Sequence, residues 1–218
     1  MIIHKLVKNY GSKEVLNIDT LDLREKGIIG LIGVNGSGKT TLFKCLGRYL
    51  QSRVELNQKV KISYFPDMEH FFRVKISYYI EILLASYSDF NKTTFLEVLE
   101  EAKIDSNRTI KSLSRGEKII LNLATTISRD TDMYLIDELF SNIDFESREL
   151  ITELIVKYVN VKEKTIIISS HEIDDVERIL DYAMVLHNRD VSKIETINNI
   201  LLEHGSMLKW FEHKVGVN

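Results

Sequence analysis

The sequence predicts an α/β fold with three parts. A mostly parallel sheet forms the core, a small antiparallel β subdomain lies at the N-terminus, and a helical subdomain is inserted between core strands. Three observations carry this. Residues 28–32 (IIGLI), 133–136 (MYLI) and 165–168 (TIII) are short, nearly unbroken apolar runs, the pattern of strands buried on both faces of a parallel sheet. Segments of helical period lie between core runs, as at 147–159 (SRELITELIVKYV). Residues 75–105 carry two helix-like segments and no apolar strand.

The elements follow in order. Residues 2–7 and 18–24 read as short strands joined by the turn-like Asn9-Tyr10-Gly11-Ser12. The spacing of Ile18, Leu21 and Leu23 is imperfect alternation, which suits antiparallel strands with one wet face. A helix is expected from Thr40 to about Tyr49. Ser114 and Glu117 have the S-x-x-E spacing of a capping box, so a helix starts there. The chain has one proline (Pro66), no low-complexity run and no internal repeat. It therefore reads as a single domain over 1–218, with the helical subdomain at about 68–116.

Composition narrows the function. Of 218 residues, 44% are hydrophobic and 28% charged, which excludes a disordered chain, a collagen-like chain and a disulfide miniprotein. The net charge of −3 lacks the basic footprint of phosphate-backbone binding, so no nucleic-acid partner is expected. The lone cysteine, Cys45, has no partner for an intrachain disulfide and reads as a small core residue. No stretch approaches the ~20 apolar residues of a membrane helix, and the charged start MIIHKLVKNY is not a signal peptide. The expectation is a cytoplasmic protein whose membrane role, if it has one, runs through a partner.

The chemistry starts after the first apolar run. Gly33-Val34-Asn35-Gly36-Ser37-Gly38-Lys39-Thr40-Thr41 matches G-x-x-x-x-G-K-[ST] between a strand and a helix. Gly33, Gly36 and Gly38 let the backbone turn tightly, so that its N–H groups converge on phosphate oxygens. The helix that follows offers its positive N-terminus to the same anion. Lys39 brings a point charge to the β- and γ-phosphates, and the Thr40 hydroxyl suits Mg²⁺. The apolar run 133–136 then delivers Asp137-Glu138 at its C-terminal end. Asp137 is placed to hold Mg²⁺, and Glu138 to orient or deprotonate an attacking water. No N-K-x-D guanine motif is present, since Asn91-Lys92-Thr93 is followed by Thr94; ATP rather than GTP is the expected nucleotide.

Further motifs give the chain a family resemblance. Leu113-Ser114-Arg115-Gly116-Glu117 resembles the LSGGQ signature of ABC ATPases, and Ser114 precedes Asp137 by the 23 residues usual there. Ser141-Asn142-Ile143-Asp144 resembles the D-loop. Ser169-Ser170-His171-Glu172 places His171, 34 residues after Asp137, where the family has its switch histidine. Tyr10 stands where the family stacks an aromatic on adenine. The sequence thus resembles the ATP-binding subunit of an ABC transporter along nearly its whole length. Ile62 to Asp67 resembles the strand into the Q-loop, with Asp67 in place of glutamine. Residues 48–60 lack the glycine-bearing hairpin, and Asn188-Arg189-Asp190 lacks the turn glycine, both usual in the family.

The resemblance implies ATP and Mg²⁺ as cofactors. Lys39, Glu138, His171 and Asp67 would be catalytic. Tyr10, Gly33, Asn35, Gly36, Ser37, Gly38, Lys39, Thr40 and Thr41 would bind the nucleotide from one side, and Ser114 and Gly116 of a second ATPase subunit from the other. Thr40, Asp137 and Asp67 would hold the metal, and Asp144 would signal across a homo- or heterodimer. An integral membrane subunit on a separate chain would receive the work, docking on 68–105 around Phe71, Phe72, Tyr78, Tyr79, Ile82 and Leu83. That would place this chain on the inner face of the cell membrane. The C-terminal Gly205-Ser206 with Leu208 and Phe211 resembles the end of drug and peptide exporter subunits. The competing reading is a soluble ABC ATPase that acts as an assembly factor, for instance for iron–sulfur clusters. ABC ATPases of repair and translation need coiled-coil insertions, paired ATPase units or basic surfaces, which this chain lacks.

Overall fold

A computed structural model describes residues 1–56, 59–64, 73–140 and 143–216. Asp67, Phe71, Phe72, Ser141 and Asn142 lie outside the described residues. The chain begins with β1 (Ile2–Tyr10), β2 (Lys13–Ile18), β3 (Leu21–Asp22) and β4 (Gly27–Ile32), and continues into α1 (Lys39–Leu46). Next come β5 (Arg53–Leu56), β6 (Ile62–Tyr64), α2 (Ile76–Ser86), α3 (Lys92–Glu101), α4 (Arg115–Ile127), β7 (Met133–Ile136), α5 (Phe145–Tyr158) and β8 (Thr165–Ser170). The chain closes with β9 (Tyr182–His187), β10 (Asp190–Val191), β11 (Glu195–Thr196), α6 (Ile197–His204) and α7 (Met207–Val215).

The central sheet runs β10-β9-β4-β8-β7-β6, with β11 also paired to β9. The pairs β6·β7, β7·β8, β8·β4 and β4·β9 are parallel. The apolar runs are continuous because alternate residues serve two cores. Ile28 and Ile32 of β4, Ile166 and Ile168 of β8, and Tyr134 and Ile136 of β7 face one core with α4, α5 and α7. Ile29, Leu31, Ile167, Met133 and Leu135 face the other, with α1 and the N-terminal strands. A two-sided sheet has no position for a polar alternation.

The N-terminal sheet is antiparallel: β1 pairs with β2, β3 and β5. Its boundaries differ from the sequence expectation. β1 runs on through Tyr10, the turn is at Gly11-Ser12, and 18–24 is not one strand but the end of β2 and the two-residue β3. Gly11 takes φ 59, which lets the reversal tighten to two residues. α1 stops at Leu46 rather than Tyr49, capped by Gly47 and followed by Arg48 at φ 64. The helix at 147–159 starts earlier, at Phe145, because Asp144 caps it. The sequence does not announce β9, which lies between β4 and β10 in the sheet.

α2 and α3 pack on α4 through Tyr79, Leu83, Phe95, Val98 and Leu99, all buried. Tyr79 and Leu83 are therefore core residues and give no docking surface. Ile82 is half-buried, and Tyr78 is 61% exposed. Cys45 is buried, as expected.

Candidate nucleotide site

β4, an interior strand between β9 and β8, ends at Ile32, and the glycine-rich loop bridges it to α1 at Lys39. Gly38 takes φ 112 and caps α1 with no side-chain hydrogen bond of its own. Gly33 is required by close approach: a Cβ there would lie 2.8 Å from the Leu186 carbonyl oxygen and 2.8 Å from Ser37 Oγ. This backbone course turns the Lys39 side chain back over the loop. Lys39 is 5% exposed, and its Nζ donates to the Gly33 carbonyl (2.7 Å) and lies 3.3 Å from Glu138 Oε1. A buried ammonium needs such partners, since leaving it unpaired is costly.

β7 and β8 bring in the acidic side. Their parallel register sets Ile136 beside Ile168, so Asp137, just past the end of β7, comes next to Ser169, which is still in β8. Ser169 Oγ donates to Asp137 Oδ1 (2.5 Å) and accepts the Glu138 backbone N–H (2.9 Å). Glu138 sits at φ 48, the left-handed region that costs a side-chain-bearing residue energy and recurs at functional sites. Its carboxylate spans the site: Oε1 faces Lys39, and Oε2 lies 2.8 Å from His171 Nδ1. Behind Asp137, the Tyr64 hydroxyl is pushed up by burial and by the Asp137 charge, so it stays protonated.

Lys39, Glu138 and His171 line one cleft of about 500 Å³, together with Tyr10, Val15, Asn35, Gly36, Gly38, Thr40 and Thr41. Tyr10 is 49% exposed at its mouth, with Lys8 Nζ 5.0 Å from its ring centre. Ser114 and Gly116 do not line the cleft. Ser114 caps α4, and the capping box with Glu117 is complete. Gly116 packs so closely on the start of α5 that a Cβ would lie 3.0 Å from Ser147 Oγ. Asp144 accepts from Ser147 N–H and from Ser147 Oγ, both at 2.8 Å.

The cleft fits a polyphosphate. Ser37 Oγ is buried in the loop with no hydrogen-bond partner, and Lys39 is held by groups that an anion can replace. Among the described residues no group of three or more His, Cys, Asp or Glu side chains forms a metal cage.

The family model described as ABC transporter matches residues 16–141, more than half of the chain. The chain belongs to the ABC transporter family. It is 25% identical over 228 residues to the ABC transporter ATP-binding protein YtrB of Bacillus subtilis, covering 99% of this chain and 78% of that one. It is 28% identical over 223 residues to the phosphonates import ATP-binding protein PhnC of Fusobacterium nucleatum, covering 87% and 89%. A solved structure described as the ATP-binding subunit of an ABC transporter aligns with TM-score 0.81 at 19% identity over 98% of each chain, a likeness of fold. The molecule is thus an ATP-binding, ATP-hydrolysing ABC transporter subunit with the expected α/β architecture. Among its described residues no helix is long and apolar enough to cross a membrane.

No motif in the sequence gives Ser169 or Tyr64 a role. Each lies near the C-terminal end of its strand, and only the sheet order, β8-β7-β6, makes them neighbours of Asp137.

Proposed function

We propose that the Gly33–Thr41 loop, Asp137, Glu138 and His171 form one half of an ATP site, which Ser114 and Gly116 of a second copy complete. The observation that carries this is the network Lys39–Glu138–His171 around a cleft whose loop leaves Ser37 Oγ unpartnered. Loop N–H groups, the α1 N-terminus and Lys39 bind the phosphates, with Asn35, Gly36, Ser37, Thr40 and Thr41 against them. The exposed face of Tyr10 takes the adenine. Mg²⁺, held by Thr40 and Asp137 with Asp67 nearby in sequence to the β6 end, would neutralise phosphate charge. Glu138 orients a water and accepts its proton, and His171 holds Glu138 in its strained position and donates toward the γ-phosphate.

A helix N-terminus closes the charge cage only while the γ-phosphate is present. ATP therefore joins two subunits, and hydrolysis releases them. We read 1–218 as one such ATPase domain and the helical insertion 68–105 as its link to a separate membrane-spanning subunit, with exposed Tyr78 in that region. The chain would then sit at the inner face of the membrane. For direction, the Gly205-Ser206 tail favours export of a drug, a peptide or a similar solute, whereas PhnC bears an import name.

The test is Glu138→Gln. It should bind ATP with ordinary affinity, lose hydrolysis by about 10²-fold or more, and dimerise when ATP is added. Hydrolysis at the parent rate would remove Glu138 from its role.

A further inference from the structure

We propose that Arg108 is a positioning residue for the Leu113–Glu117 segment: it grips Glu117 and cancels its charge, so that a nucleotide phosphate can approach the α4 N-terminus. The inference rests on the reading above that this end of α4 faces the nucleotide held by a second copy.

Glu117 is the third residue of α4. A carboxylate in a first turn stabilises the helix, but it draws on the same positive end and the same N–H groups that would bind an anion. It also repels that anion. In this chain the conflict is met by a fork. Arg108 Nη1 and Nη2 donate to the two Glu117 oxygens, Nη2 to Oε2 at 3.1 Å, and Nη2 also donates to the Ser112 carbonyl at 2.8 Å. Glu117 Oε2 further accepts the Ser114 backbone N–H at 2.7 Å. Both carboxylate oxygens are thus turned back toward Ser114 and Arg108. The guanidinium holds the Glu117 carboxyl below its usual range, so the group is charged and the charge is matched.

Arg108 is itself fixed. Its backbone N–H donates to the Asp105 carbonyl (3.1 Å), and its carbonyl accepts the N–H of Ile76, the first residue of α2 (3.0 Å). The clamp therefore hangs from the inserted helices rather than from α4. The purely structural alternative is that Arg108 only staples the Ser112 carbonyl. The two readings differ in what Glu117→Gln does, because glutamine removes the charge and keeps an acceptor for Ser114.

The experiment uses the full chain carrying Glu138→Gln and reads the ATP concentration that half-converts monomer to dimer by light scattering. Arg108→Ala should raise that concentration about tenfold, and Arg108→Lys, which keeps charge without the fork, about threefold. Adding Glu117→Gln to Arg108→Ala should return it to within about twofold of the parent. Melting temperature and binding of a fluorescent ATP analogue to the monomer check that each variant folds and that the loop site is intact. If Arg108→Ala unfolds, Arg108→Lys with and without Glu117→Gln carries the test. An unchanged midpoint in Arg108→Ala overturns the proposal, and so does a double variant as poor as the single one. If the Glu138→Gln parent never dimerises at any ATP concentration, the two-subunit reading itself fails, and this proposal falls with it.

Discussion

His171 Nδ1 lies 2.8 Å from Glu138 Oε2, while Glu138 Oε1 lies 3.3 Å from Lys39 Nζ. One carboxylate thus ties the end of β8 to the loop after β4, and it does so from a left-handed backbone position. Removing His171 frees one arm of that strained residue. His171→Ala should lower kcat by about 10²-fold and change ATP affinity little. Parallel measurements of turnover and nucleotide binding check this; an equal loss in both would make His171 a binding residue instead.

Ser169 should matter as much as a named motif residue. Its hydroxyl satisfies the Asp137 carboxylate and the Glu138 N–H together. Ser169→Ala leaves both without that partner, at a cost of about 1–3 kcal/mol. Unfolding in urea should show the loss, with hydrolysis falling further than stability alone explains. Ser169→Thr, which restores a hydroxyl, should recover part of both.

Asp89 and Arg129 join the loop between α2 and α3 to the end of α4. Arg129 Nε and Nη2 both hold the Asp89 carboxylate, and the guanidinium stacks 3.7 Å from the Tyr87 ring centre. The Arg129 hydrogen bond keeps the Asp89 carboxyl below its usual range. Its folded value is depressed, so the pair's stabilisation is fully present above the unfolded value, near pH 4, and is lost as pH falls through the lower folded value. Asp89→Asn should therefore cost about 1 kcal/mol at pH 7, and the cost should shrink steadily as the pH is lowered below about 4. Urea midpoints of parent and variant across that pH range give the comparison, and a gap that does not change with pH would mean packing rather than charge.

Much of the core was legible because its signals are local. β4, β7 and β8 announce themselves as apolar runs, since each is covered on both faces. The glycine-rich loop, the capping box and Asp137-Glu138 are contiguous. β9 has a similar apolar centre, but Asp181 and His187 bracket it and no motif flags it. The break at Asp19-Thr20 between β2 and β3 is set by pairing with β1, which no window of the sequence contains. Tyr79 and Leu83 looked like surplus apolar area on a thin lobe; α4 supplies the missing partner face and buries them. The same reason hid Ser169, Tyr64 and Arg108. Their partners stand 32 residues away for Ser169 and Asp137, and nine for Arg108 and Glu117.

The central claim is that each ATP site is shared between two copies. Subunit complementation tests it most directly. Lys39→Ala disables the loop side, and Ser114→Arg disables the opposing side, so each variant alone should be inactive. Mixed in equal amounts, they form heterodimers with one intact composite site. The account predicts recovery of about a quarter of the parent ATPase activity, by random pairing of a two-fold dimer. No recovery in a mixture shown to contain heterodimers would contradict it, because the two halves would then belong to one chain.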